Sequence, residues 1–191
     1  MYFTLKLIAD EVQVLRATQI LITGGWKEEA EQNMRQIDYL ADHAEVVPTL
    51  AEWFQSEWPD YYAERSLADI TQDFHAELNR NNLPIRLIAF HDGELVGTIV
   101  LRELALETQP EYRPGLGGLY VAKPHRRFGI GTDLVRTGMT LAEGLGFHTI
   151  YTSTNAAGGI LERLRWERMG LVQHHREQIA LYRYALNDMP K

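Results

Sequence analysis

At 191 residues, with 45% hydrophobic and 24% charged positions, the chain has the size and balance of one soluble globular domain. It contains no cysteine, which excludes a disulfide framework, a thiolate zinc site and any route that parks an acyl group on an enzyme thiol. A net charge of −7 argues against a nucleic-acid backbone as partner and suits a cationic one better.

No apolar run is long enough to cross a bilayer, and the opening MYFTLKLIADEVQ lacks the basic region, apolar core and cleavage site of a secretory leader. A cytoplasmic protein without membrane attachment is expected. Residues 1–36 carry no motif; the character of the chain changes after Gly24-Gly25, so they read as an extension preceding a domain over 37–187.

The domain begins with a strand over Ile37–Leu40, followed by a helix from Ala44 or Glu45 that buries Val47, Leu50, Ala51, Phe54 and Trp58. A second helix is predicted over Ser66–Arg80, with Ser66 as N-cap and Asp69 as the acid of a capping box. Seven acids, Glu52, Glu57, Asp60, Glu64, Asp69, Asp73 and Glu77, face the single Arg65 across this helical pair. Ile85–Phe90 and Leu95–Leu101 read as strands joined at Asp92-Gly93, a strong hairpin signal. A polar loop over 105–115 follows.

The central stretch, Leu119–Leu134, reads LYVAKPHRRFGIGTDL. A short apolar strand feeds through two glycines into a helix with Leu134, Gly138, Leu141 and Leu145 on one stripe. A helix start leaves backbone N–H groups unpaired, which makes it a seat for an anion, and the glycines admit close approach of a ligand. The Walker pattern fails, because Thr132 and Asp133 follow Gly131; the dinucleotide fingerprint fails at Leu134. A strand over His148–Thr152, a helix over Ile160–Met169 capped by Gly170, and a closing pair of strands over 171–175 and 179–186 complete the chain. Strands interleaved with helices predict an α/β fold with a mixed sheet. The seven histidines form no ligand pattern, and no metal site is expected.

Val121, Pro124, Arg126, Gly129, Ile130, Gly131 and Leu134 resemble the signature of the GNAT superfamily of N-acetyltransferases, Gln or Arg, two residues, Gly, one residue, Gly or Ala. Trp166-Glu167-Arg168-Met169-Gly170-Leu171 is similar to that family's aromatic-Glu-Arg-x-Gly-aromatic segment. The resemblance implies a mostly antiparallel central sheet flanked by helices, with splayed central strands. It also implies transfer of an acetyl group from acetyl-CoA to an amine by direct attack, with no metal.

Carried onto this chain, the resemblance assigns the donor pyrophosphate to the N–H groups of Arg127, Phe128, Gly129, Ile130, Gly131 and Thr132, with Arg126 and Arg127 adding charge. It assigns the pantetheine arm to Leu119, Tyr120 and Val121, one backbone N–H facing the thioester oxygen, and to Asn155 beyond the fifth strand. Trp166 then stands where many members place a tyrosine, and an indole cannot protonate a departing thiolate. No carboxylate lies on Leu116–Val121, so Glu103 is the candidate proton acceptor, ahead of Glu107, Glu111, Tyr112 and His125.

The acidic helices favour a small cationic amine as acceptor. The competing readings are a peptide or protein N-terminal acetyltransferase and a non-catalytic acyl-CoA-binding module. Closing strands often pair between subunits, which makes a homodimer the expected assembly if there is one.

Overall fold

The structure, a computed structural model, describes residues 35–174 and 177–188. The expectation for residues 1–34 and the side chain of His175 lie outside these. Seven strands form one sheet: β1 (Arg35–Tyr39), β2 (Ile85–His91), β3 (Glu94–Arg102), β4 (Gly115–Val121), β5 (Thr149–Thr154), β6 (Glu167–His174) and β7 (Glu177–Ala185). Their spatial order is β1-β2-β3-β4-β5-β7-β6, and every neighbouring pair is antiparallel except β4 with β5. The hairpin at Asp92-Gly93 forms as its residues dictate, both with positive φ, 52° and 78°.

Helices α1 (Val47–Glu57) and α2 (Leu67–Ala76) cover one face of the sheet, and α3 (Ile130–Gly144) the other. Period-2 alternation sorts the side chains between two cores. Ile88 and Phe90 meet Leu50, Phe54, Ile70 and Phe74 from α1 and α2, while Leu87, Ala89, Ile99, Leu101 and Leu116 meet Leu134, Val135, Met139 and Ala142 from α3. Gly138 is required by that packing, since a Cβ there would stand 2.6 Å from Leu116 Cδ1. The predicted α3 stripe holds at Leu134 and Gly138, with half-buried Leu141 packed against the core; Ile130, Val135, Met139 and Ala142 widen it, and Leu145, 36% exposed, falls outside it.

The Ser66 capping box forms in both directions, Asp69 N–H to Ser66 Oγ at 3.2 Å and Ser66 N–H to Asp69 Oδ2 at 2.9 Å. The helix it starts ends at Ala76, short of Arg80, because Asn79 Nδ2 donates to the Ala76 carbonyl and closes it. The first strand starts at Arg35 and ends at Tyr39, where Leu40 opens a single 3₁₀ turn. The predicted helix over 160–169 is a single short one, α4 (Gly158–Arg163). Arg165, in the left-handed region with φ 62°, stops it, and Trp166 N–H and Arg165 N–H cap the carbonyls of Leu161 and Glu162. Gly170 therefore caps no helix; it lies at a bulge within β6.

Candidate active site

The turn between β4 and α3 is built from alternating left-handed residues, Arg127 at φ 72° and Gly129 at φ 88°. Such alternation curls successive N–H groups toward one point. Among the described residues, the N–H groups of Arg127, Phe128, Gly129, Ile130 and Gly131 have no acceptor. Thr132 N–H differs from its predicted role: it donates to Gly129 O at 2.8 Å, which leaves the Thr132 hydroxyl as the group that can face a ligand. Five free donors at the positive end of a fifteen-residue helix make an anion site. Gly131 fits closely, a Cβ there lying 3.1 Å from Ile160 Cδ1 of α4.

Cations surround this turn. Arg127 is exposed, and Arg126 reaches back to Val121 O at 2.8 Å and Glu57 Oε1 at 2.9 Å, its guanidinium 5.6 Å from the centre of the Tyr120 ring. Arg35, at the start of β1, was missed by sequence reading because it lies far away in the chain. Its Nη1 sits 3.4 Å from Asp133 Oδ2 and 3.7 Å from where a Cβ of Gly129 would be.

Beside the turn the sheet is split. β4 and β5 pair only at Gly115 with Tyr151, whose N–H donates to Pro114 O at 3.0 Å. The separation has a local cause: Thr98 pairs with Tyr120 and Val100 with Gly117, so two β4 residues, Gly118 and Leu119, stand opposite Ile99. Gly118 takes φ 58° at this bulge, which bends the strand away from β5. Ala122 N–H donates to Val96 O on the β3 side, so alternation turns the peptide groups of Leu119 and Val121 toward the gap. An extended ligand there would find an unpaired strand edge.

On the α1 and α2 face of the same strand, Tyr120 lies among Trp53, Phe54 and Trp58, with ring centres at 4.9, 6.4 and 6.2 Å. Burial first, then Glu57, raises its phenol pKa, against the lowering effect of Arg126. Deeper in this face, buried Arg86 pairs with Glu77, donates to Thr98 Oγ1 at 3.1 Å and lies under the rings of Phe54 and Phe74. Most acids of the helical pair already have partners: Asp73 holds Arg65 at 2.5 Å, Glu57 holds Arg126, Glu77 holds Arg86 and Asp69 serves the cap. Counting charges along the chain therefore no longer carries a cationic acceptor.

A family model described as the acetyltransferase (GNAT) family matches residues 47–164. The chain belongs to the GNAT family. No curated protein matches its sequence. Among solved structures it is similar to an aminoglycoside 6'-acetyltransferase type Ii, at 20% identity over 82% of this chain and 99% of that one, with a TM-score of 0.62. It is also similar to the ribosomal-protein-S5-alanine acetyltransferase of Vibrio fischeri, at 15% identity, 83% and 96% coverage and a TM-score of 0.62. A third is yncA, a putative acetyltransferase from Salmonella typhimurium solved with acetyl-CoA, at 13% identity, 83% and 97% coverage and a TM-score of 0.61. At these identities the likeness concerns the fold.

Glu167–Leu171, in the segment likened to the family's aromatic-Glu-Arg-x-Gly-aromatic motif, lie on β6, past the helix stop. A helix stop in a left-handed residue followed by a buried aromatic occurs earlier, in Leu161-Glu162-Arg163-Leu164-Arg165-Trp166. Trp166 is 4% exposed and packed against Tyr184, with its indole N–H unpartnered among the described residues. Leu161 lies in the core. Of the two Glu-Arg pairs, at 162–163 and 167–168, only the first lies on a helix.

Asn155 lies just past β5, its Nδ2 donating to Gln178 O at 3.4 Å, while Thr154 Oγ1 accepts the N–H groups of Ala156 and Ala157. Glu103 follows directly on β3, 62% exposed and 3.9 Å from Arg113, at the end of β4 where it joins β5. Phe128, also 62% exposed, stands out from the turn.

Proposed function

We propose that the protein is a cytoplasmic, acetyl-CoA-dependent N-acetyltransferase acting on a primary amine by direct attack. The observation that carries this reading is the split between β4 and β5 opening beside a turn with five unpaired N–H groups. The residues fit the donor: Arg127–Gly131 offer donors for a pyrophosphate, Arg35 and Arg127 offer charge, and Leu119 and Val121 offer an unpaired edge to an extended amide-bearing arm. Asn155 borders the arm from the β5 side. When bound, acetyl-CoA supplies a thioester whose acetyl carbon exchanges its bond to sulfur for one to nitrogen.

The chain's own part is placement and charge. An N–H of the strand edge at Leu119–Val121 would donate to the thioester oxygen, where negative charge grows. The acceptor ammonium must lose a proton, and Glu103 is the carboxylate proposed to take it; its exposure lets it pass the proton on to water. Because Trp166, where the resemblance places a tyrosine, offers no acid, the thiolate leaves with the help of its own pKa, near 8.5 for a thiol. E103Q is expected to lower kcat about tenfold at neutral pH, with the deficit shrinking as pH rises and the free amine accumulates.

Calorimetry with acetyl-CoA and CoA, followed by CoA release over a panel of small amines and N-terminal peptides, tests the reading. Absence of binding ends it; binding without turnover on any acceptor leaves the non-catalytic acyl-CoA module. No described helix is long and apolar enough to cross a membrane. A homodimer, if formed, would use the β6 edge, where Met169 and Leu171 are exposed, and light scattering checks it.

A further inference from the structure

Beside the bulge, on the α1 and α2 face, lies an arginine without an anionic partner. Residues Thr98, Val100 and Arg102 of β3 share the α1 and α2 face, and Arg102 lies across β4. A Cβ on Gly117 would stand 2.9 Å from its Nη2 and 3.3 Å from its Nε, so the absent side chain is what lets the guanidinium rest there. Gly117 adjoins Gly118, the bulge residue that sets the split.

Arg102 makes one hydrogen bond, Nη2 to Ala105 O at 3.2 Å, and no carboxylate among the described residues lies within 4.0 Å of it. Its neighbour Arg86 contrasts with it, having Glu77 for itself. Arg102 is exposed at the end of β3, over Gly117. Loss of hydration is the main cause that lowers its pKa, and Arg86 adds repulsion, while Tyr61, Glu77 and Glu107 act in the opposite direction. A guanidinium held in that setting is poised to accept a planar anion with two oxygens.

We propose that Arg102 recognises a carboxylate on the acceptor, so that the substrate is a small amino acid-like molecule carrying both an amine and a carboxylate. This rests on the acetyltransferase reading above. With the carboxylate on Arg102, the amine is directed toward Gly118 and the gap, one residue further along the strand. Attack forms the N–C bond and breaks the C–S bond. The ammonium proton leaves to a base and CoA departs as thiolate or thiol, so the carboxylate is unchanged throughout.

The test uses the full chain with acetyl-CoA and pairs of amines that differ only in a carboxylate, such as phenylalanine with phenethylamine and 4-aminobutyrate with propylamine. Wild type should favour the carboxylate member of at least one pair by about tenfold in kcat/KM. R102Q should erase most of that preference through KM, R102K should restore part of it, and R136Q, on the exposed side of α3, should not alter it. CoA binding by calorimetry separates the two levels of the argument: if CoA fails to bind, the acetyltransferase reading falls with this one. If CoA binds and turnover is absent, calorimetric titration of the same pairs into the CoA complex decides, and equal or absent binding overturns the carboxylate site. Preference for uncharged or polycationic amines, or for neutral peptides, or an R102Q ratio equal to wild type, also overturns it.

Discussion

The two faces of β4 present different chemistry. Toward α3, the strand and turn present backbone: five free N–H groups, an unpaired edge and glycines at fixed angles. Toward α1 and α2 they present side chains, Tyr120 among tryptophans, Arg86 locked to Glu77, and Arg102 across Gly117. Backbone donors suit a ligand shared by many proteins, since they ask only for a conformation. Side chains and their pairings can be altered singly, so under the proposed activity this is where a particular acceptor would be selected.

The comparison is broken most strongly at Glu77. E77Q leaves Arg86 buried without its counter-charge and should destabilise the fold by about 3–5 kcal/mol in denaturant titration, while the affinity for CoA stays near wild type. Equal loss of both would mean that the two faces are one unit. Tyr62, on the same side, gives a pH readout. Burial is the largest cause that pushes its pKa up to about 12, so the unfolded chain releases this proton near pH 10 and the folded one later. The stabilisation is complete below pH 10 and is lost as pH rises toward 12, by on the order of 2 kcal/mol; Y62F should flatten that part of the unfolding curve.

Gly129 probes the other face. G129A forces an alanine to φ 88° at a cost of about 1–2 kcal/mol, and CoA binding should weaken about tenfold while amine selectivity is unaltered. The smallest effect is expected at the α2 cap, where S66A should cost about 1 kcal/mol of stability and touch neither ligand. A change in CoA affinity there would show that α2 supports the donor side after all.

The strand, turn and helix start proposed to hold the donor were largely legible in the sequence because they are local. A strand, two glycines and a helix start are neighbours in the chain, and the hairpin and the capping box are equally short-range. The acceptor side was not. That Glu57 belongs to Arg126, and Glu77 to Arg86, depends on contacts across 69 and 9 residues, so an acidic run that is mostly paired looked like a free acidic surface. Arg35 and Arg102 were hidden for the same reason, and the helix at 158–163 was overextended because Arg165 performs a glycine's task without being glycine.

The single Gly115–Tyr151 pairing between β4 and β5 makes the sheet two panels, β1 to β4 and β5 to β7, joined at one corner and backed by α3. A donor lying along the open edge would act as a missing rung, so ligand loading and the mechanical continuity of the sheet become one event. Amide exchange at Leu119, Val121 and Ser153 should therefore slow together on CoA addition, as two edges closing on a common seam.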